Sequence, residues 1–338
     1  MNPASPVHYD QARDGGRAAA APRPMWERDV AELRQEMRDE SLAAAGEPEQ
    51  VASVADVSAG GVPARLYRPA GDERAVLVWL HGGGWLLGDP DCHDAVTRAL
   101  ANRAGCAVLS VGYRRSPEHR YPAAIDDAWS ATRWAASQFG QVAVGGDSSG
   151  GNLAAAVALR ARGRALPLAL QLLIYPVLDA DLKARYREDF AKQCEDGPDP
   201  TPLGHDWRNN LRYIWEQYVP DPARRLEPDA SPMCAASLAG VAPALIITAE
   251  HDILRAESER YARRLAVDGV RVRLHNYPGS AHGFFHLLAA TPDARDSVAR
   301  SGAALRVVFS ADPATRPGRP PSAVSKESGS SGLESRYA

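Results

Sequence analysis

A serine flanked by glycines, Gly146-Asp147-Ser148-Ser149-Gly150, follows directly on the apolar run Val142-Ala143-Val144. A serine placed where a strand turns sharply into a helix is pushed outward, off both elements, as a nucleophile must be. Alone the pattern is weak, since chance supplies it in roughly one chain in six or seven of this composition. Ser148 has glycine two positions away on each side, whereas Ser149 has Asp147 two positions before it, so Ser148 is the candidate nucleophile. A second cluster, His81-Gly82-Gly83-Gly84-Trp85, closes the apolar run 75–80. It is far rarer by chance, about one chain in two hundred. Glycines turn backbone N–H groups toward a shared point without a Cβ penalty, and such donors hold an oxyanion. The plain alternative is a tight turn after a strand.

A serine hydroxyl needs a base. Among nine histidines, His282 is best placed, in the loop Gly279-Ser280-Ala281-His282-Gly283-Phe284 after the last expected strand. His275 and His286 are read as structural, and His81 as a brace for the glycine loop. The base in turn needs an acid that fixes its tautomer. Asp252, beyond the apolar run 244–248 and before His282 in the chain, is the candidate. Glu250, at the strand end, and Glu257, one turn into the next helix, are the alternatives.

These residues need elements to hold them. Short apolar runs at 75–80, 106–111, 142–144, 168–175 and 244–248, with an alternating run at 270–274, read as strands. Helical periodicity lies between them at about 92–104, 123–138, 151–163, 255–267 and 294–308. Two-sided apolar strands alternating with helices predict an α/β fold with a mostly parallel sheet flanked by helices. Trp26, Val30, Leu33 and Met37 form a helical stripe that must be covered. Segment 179–230 breaks the rhythm, is charged and proline-rich, and carries the amphipathic pattern Trp207, Leu211, Ile214, Trp215, Tyr218. It reads as an insertion above the sheet that meets the N-terminal helix. The first ~25 residues and the Pro/Ser/Gly-rich residues 312–338 have little to bury and read as unstructured. Ser148, Asp252 and His282 then each stand just beyond a strand, in the chain order of an α/β-hydrolase.

Composition narrows the classes. The 338 residues carry a net charge of −3, with 45% hydrophobic and 24% charged residues. That is ordinary for a soluble globular protein and gives no strong attraction to nucleic acid or an anionic membrane. The four cysteines, Cys92, Cys106, Cys194 and Cys234, show neither paired nor zinc-like spacing and read as scattered thiols. No run approaches the ~18 apolar residues of a membrane span. The start has no apolar leader core, so a cytoplasmic location is expected.

The motifs together resemble the hormone-sensitive-lipase-like carboxylesterases of bacteria. The resemblance rests on His81 to Trp85, Gly146 to Leu153, Tyr113-Arg114-Arg115-Ser116-Pro117-Glu118-His119, Pro122-Ala123-Ala124, Tyr175-Pro176, Ser231-Pro232, Asp252-Ile253-Leu254 and His282-Gly283-Phe284, collinear over about 50–290. It implies the α/β-hydrolase fold with a helical cap from residues 1–48 and 179–228, on a core of 49–178 and 229–311. It implies backbone oxyanion donors at Gly83, Gly84 and Ser149. It implies hydrolysis of carboxylic esters, of short-to-medium acyl chain, through an acyl-enzyme on Ser148, with no metal or organic cofactor required. Gly112, Ser149 and Ile253 depart from the family's usual Asp, Ala and Pro. Trp85, Trp207 and Trp215 are candidate pocket residues, with Tyr213 and Tyr218 nearby in sequence; packing between cap and core is the competing role for the cap aromatics. The expected partner is a small-molecule ester, and a homodimer stays open. Two other functions compete: acyl transfer or amide, lactone or carbamate hydrolysis on the same triad, and a non-catalytic ligand-binding relative.

Overall fold

The computed structural model describes residues 23–71, 74–184 and 207–310. The expectations for residues 1–22, for the tail 312–338, for Cys194 and for much of the 179–228 insertion lie outside the described residues, as does the side chain of Trp207.

Eight strands form one sheet in the order β1-β2-β4-β3-β5-β6-β7-β8. They are β1 Ser53–Ala59, β2 Val62–Arg68, β3 Ala75–Leu80, β4 Ala107–Val111, β5 Gln141–Asp147, β6 Gln171–Ile174, β7 Ala244–His251 and β8 Val272–Ala281. From β4 to β8 the pairings are parallel, as the alternating strands and helices predict. The hairpin β1–β2 and its antiparallel junction with β4 were not anticipated. Their signal was present, because Gly60-Gly61 is a two-residue turn with both φ positive, at 65° and 88°, the form that closes a tight hairpin.

Seven helices complete the described fold: α1 Val30–Ala45, α2 Asp94–Ala104, α3 Ala123–Gln138, α4 Ser149–Gly163, α5 Trp207–Tyr218, α6 Arg255–Val267 and α7 Pro292–Ser310. Strand side chains alternate between faces, and β3 shows the consequence. Val76, Val78 and Leu80 enter a core shared with α3, α4 and α6. Leu77 and Trp79 enter a second core shared with α2 and α7. Covered on both faces, the central strands can be apolar throughout. No helix among the described residues is long and apolar enough to cross a membrane.

The stripe expected on α1 packs less than its pattern implied. Only Leu33 is buried, and Trp26 is 37% exposed. Charge does the anchoring instead. Arg34 donates to both carboxylate oxygens of Glu118, at 2.7 and 2.8 Å, and to the carbonyls of Leu86 and Ser116. Arg38 pairs with Asp89 and Asp91. The Arg34 guanidinium holds the Glu118 carboxyl down at about 2. Helix α1 therefore rests on the segments that leave the C-terminal ends of β3 and β4.

Strand β3, the β5–α4 turn and α4 meet at Gly150. A Cβ there would collide with the carbonyl oxygens of Leu80 and His81. We expect Gly150→Ala to lower unfolding free energy by about 2–3 kcal/mol through overpacking. An unchanged denaturation midpoint would contradict this close approach.

Candidate active site

Strand β5 ends at Asp147 and α4 begins at Ser149, so Ser148 alone makes the turn. Its backbone is left-handed, φ 52° and ψ −117°. The turn is pinned from both sides. The Ser148 N–H donates to the Ile174 carbonyl at 2.9 Å, and its own carbonyl accepts from Asn152 and Val177, both at 3.1 Å.

Strands β5, β7 and β8 run parallel within the sheet, so their following residues emerge at one edge. Asp252 directly follows β7 and His282 directly follows β8. His282 Nδ1 lies 2.7 Å from Asp252 Oδ2, and His282 Nε2 lies 3.1 Å from Ser148 Oγ. Asp252 is 1% exposed and also accepts from the Leu254 N–H at 2.8 Å. With Nδ1–H donating to the carboxylate, Nε2 is left to accept the serine proton. Burial pushes the His282 pKa down, but the charge and hydrogen bond of Asp252 outweigh it, and the value is raised above 6.5. The alternative acids serve elsewhere. Glu250 accepts from the Gly279 N–H, and buried Glu257 accepts from the Leu178 N–H. His275 lies within β8, ring against Tyr277.

The glycine loop faces the same edge. Gly83 and Gly84 are left-handed, at φ 112° and 63°. His81 stacks on Tyr113 with centroids 4.1 Å apart, and burial, helped by the nearby His93, pushes its pKa down to about 3. It is a neutral brace. The Ser149 hydroxyl accepts from the Trp85 N–H at 3.2 Å. This tie from α4 to the glycine loop was missed in the sequence, and the departure from alanine at Ser149 was its signal.

Trp85 and Trp215 are both fully buried. Trp85 stacks on Tyr218 at 4.2 Å and lies 4.8 Å from Trp215. The three rings join α5 to the glycine loop, and neither tryptophan presents accessible surface. Ile214 lies above the same loop, 2.9 Å from where a Gly84 Cβ would stand. Two more residues belong to the motifs but carried no assigned role in the sequence. Tyr175, at φ 32°, places its ring 4.5 Å from that of His282. Asp147, the residue before Ser148, gathers His93, His286 and the Gly82 N–H around one buried carboxylate. His286 lies in a short 3₁₀ turn, Phe284–His286.

Residues 77–286 match a family described as the alpha/beta hydrolase fold. The chain is a hormone-sensitive-lipase-like α/β-hydrolase. It is 35% identical to the ethyl acetate hydrolase of Pseudomonas putida over 82% of this chain and 90% of that one. It is 41% identical to the carboxylic ester hydrolase LipN of Mycobacterium tuberculosis, over 77% of this chain and 71% of that one. Among solved structures, a hyperthermophilic esterase from the archaeon Pyrobaculum calidifontis is similar, with a TM-score of 0.75 and 36% identity, covering 84% of this chain and 95% of that one.

In this α/β-hydrolase the raised His282 value has a thermodynamic sign. The His282–Asp252 pair adds stability that is fully present below 6.5 and is lost as pH rises through the folded value. We expect Asp252→Asn to bring the His282 imidazole titration, followed by NMR, below 6.5, because burial remains while the charge is gone. An unchanged titration would contradict the coupling.

Proposed function

We propose that this α/β-hydrolase is a serine esterase that cleaves carboxylic esters of short to medium acyl chain. One observation carries the reading: the continuous line from Ser148 Oγ through His282 to Asp252, at 3.1 and 2.7 Å, beside a left-handed glycine loop. Ser148 Oγ attacks the ester carbonyl as His282 Nε2 takes its proton, and Asp252 compensates the imidazolium. Backbone N–H groups of Gly83, Gly84 and Ser149 receive the oxyanion, worth about 3 kcal/mol per donor. His282 returns the proton to the departing alcohol. Water then repeats the cycle on the acyl-serine and frees the carboxylic acid and Ser148.

In this reading residues 1–48 and 179–228 form a cap over the core. The seating of α1 and α5 on the glycine loop supports it, and Ile214 above Gly84 is then the cap's apolar wall over the reacting centre. Trp85 and Trp215 fix that wall from behind, and Trp207 keeps its place as a pocket candidate. The names of the relatives, an ethyl acetate hydrolase among them, favour small esters over long lipids.

Ser148→Ala should lower hydrolysis of p-nitrophenyl esters by about 10⁴-fold or more while the melting temperature holds. Across an acyl series the wild type should prefer acetate and butyrate over palmitate. Turnover of the variant at the wild-type rate would overturn the assignment, and a palmitate optimum would overturn the chain-length reading.

A further inference from the structure

The esterase reading uses Ser148, His282, Asp252 and the glycine loop, and leaves Asp147 without a role. Yet Asp147 is 4% exposed, and its carboxylate is fully engaged. Oδ1 accepts from the Gly82 N–H at 2.9 Å and lies 3.1 Å from His93 Nε2. Oδ2 lies 2.9 Å from His286 Nε2. These partners belong to three separate segments. Gly82 opens the glycine loop after β3, His93 stands at the start of α2, and His286 follows His282 by four residues. A Cβ on Gly82 would collide with the carboxylate, so the approach depends on glycine. The His93 and His286 rings meet edge to face at 4.4 Å.

Charge supports the arrangement. Burial alone would push the Asp147 carboxyl up, but His286 and His93 outweigh it and hold it well below the usual carboxylate range. Asp147 is therefore an ionised acceptor at neutral pH. Burial keeps the His286 pKa below 6.5 despite Asp147, with His93 adding to the depression. A neutral imidazole whose Nε2 faces a carboxylate carries its proton there, as the donor. His286 is thus a fixed single donor at the end of a turn that starts from the base. Gly283, at φ 88°, allows that turn to be sharp.

We propose that His286 is a positioning residue for the hydrolysis: by donating to Asp147 it locks the His282 loop to the nucleophile turn and, through Gly82, to the oxyanion glycines. The inference rests on the esterase reading. It assigns His286 no contact with substrate. Its effect is on the distances among three loops that no regular element connects directly, and displacement of such groups by ~1 Å costs about 100-fold in rate.

Two amide substitutions separate reach from polarity. Glutamine places its N–H near the position of a histidine Nε2, and asparagine falls short. His286→Asn should lower kcat on p-nitrophenyl acetate by about 10- to 100-fold with KM within about threefold. It should slow fluorophosphonate labelling of Ser148 in parallel. His286→Gln should retain most of both rates. Equal melting temperatures for the two variants would place the loss in positioning rather than stability. Wild-type kcat in His286→Asn, equal losses in the two variants, or a change confined to KM would each overturn the proposal. The same three side chains also form a two-histidine, one-carboxylate set within 4.8 Å. Activity lost to a chelator and restored by zinc or ferrous ion would therefore overturn it too. A wild-type protein that turns over no ester fails the esterase reading and this proposal together, whereas an active wild type matched by His286→Asn fails this proposal alone.

Discussion

Everything at the site depends on one strained residue. Ser148 is held at φ 52° and ψ −117°, a backbone that costs a non-glycine residue about 1–3 kcal/mol. The strain holds because its surroundings permit no relaxed alternative. Three backbone hydrogen bonds fix the peptide on either side. Gly146 and Gly150 let the Leu80 carbonyl approach where any Cβ would collide. In return the hydroxyl projects from the edge of the sheet, and the first turn of α4 opens behind it with its positive dipole end toward the serine.

The parallel order of β5, β6, β7 and β8 turns that single protrusion into an assembly. Parallel strands deliver their C-terminal ends to the same edge, so residues 148, 252 and 282 converge although long stretches of chain separate them. Two carboxylates then divide the labour. Asp252 raises the His282 pKa and fixes its tautomer. Asp147 ties together the glycine loop, the start of α2 and the turn after His282. Both are buried, so each hydrogen bond acts in a medium that screens it little.

The parts legible in the sequence are those with local signatures. Ser148 announces itself through Gly146 and Gly150, and the glycine loop through three consecutive glycines. Asp252 and His282 follow from their places after apolar runs. The alternation of apolar runs and helices gave the parallel sheet, with ends displaced by a few residues: the run 270–274 became Val272–Ala281, and 168–175 shrank to Gln171–Ile174. The hairpin of β1 and β2 has its signal at Gly60-Gly61; edge strand β1 alternates weakly, whereas β2, between β1 and β4, buries Val62, Ala64 and Leu66 in alternation. The convergence on Asp147 left no such trace. His93 and His286 are 193 residues apart (286 − 93) with no spacing rule between them, and Asp147 occupies the variable position of its motif. Nor does the amphipathic pattern of α5 tell that Trp215 packs behind the glycine loop, because depth of burial is settled by the partner surface.

Rapid-quench mass spectrometry during turnover of p-nitrophenyl acetate tests the central claim most directly. A stoichiometric burst of p-nitrophenol is predicted, with an acetyl group on the peptide that contains Ser148 and its decay at the steady-state rate. Turnover without acetyl on Ser148, or with the acetyl on another residue, would contradict the account.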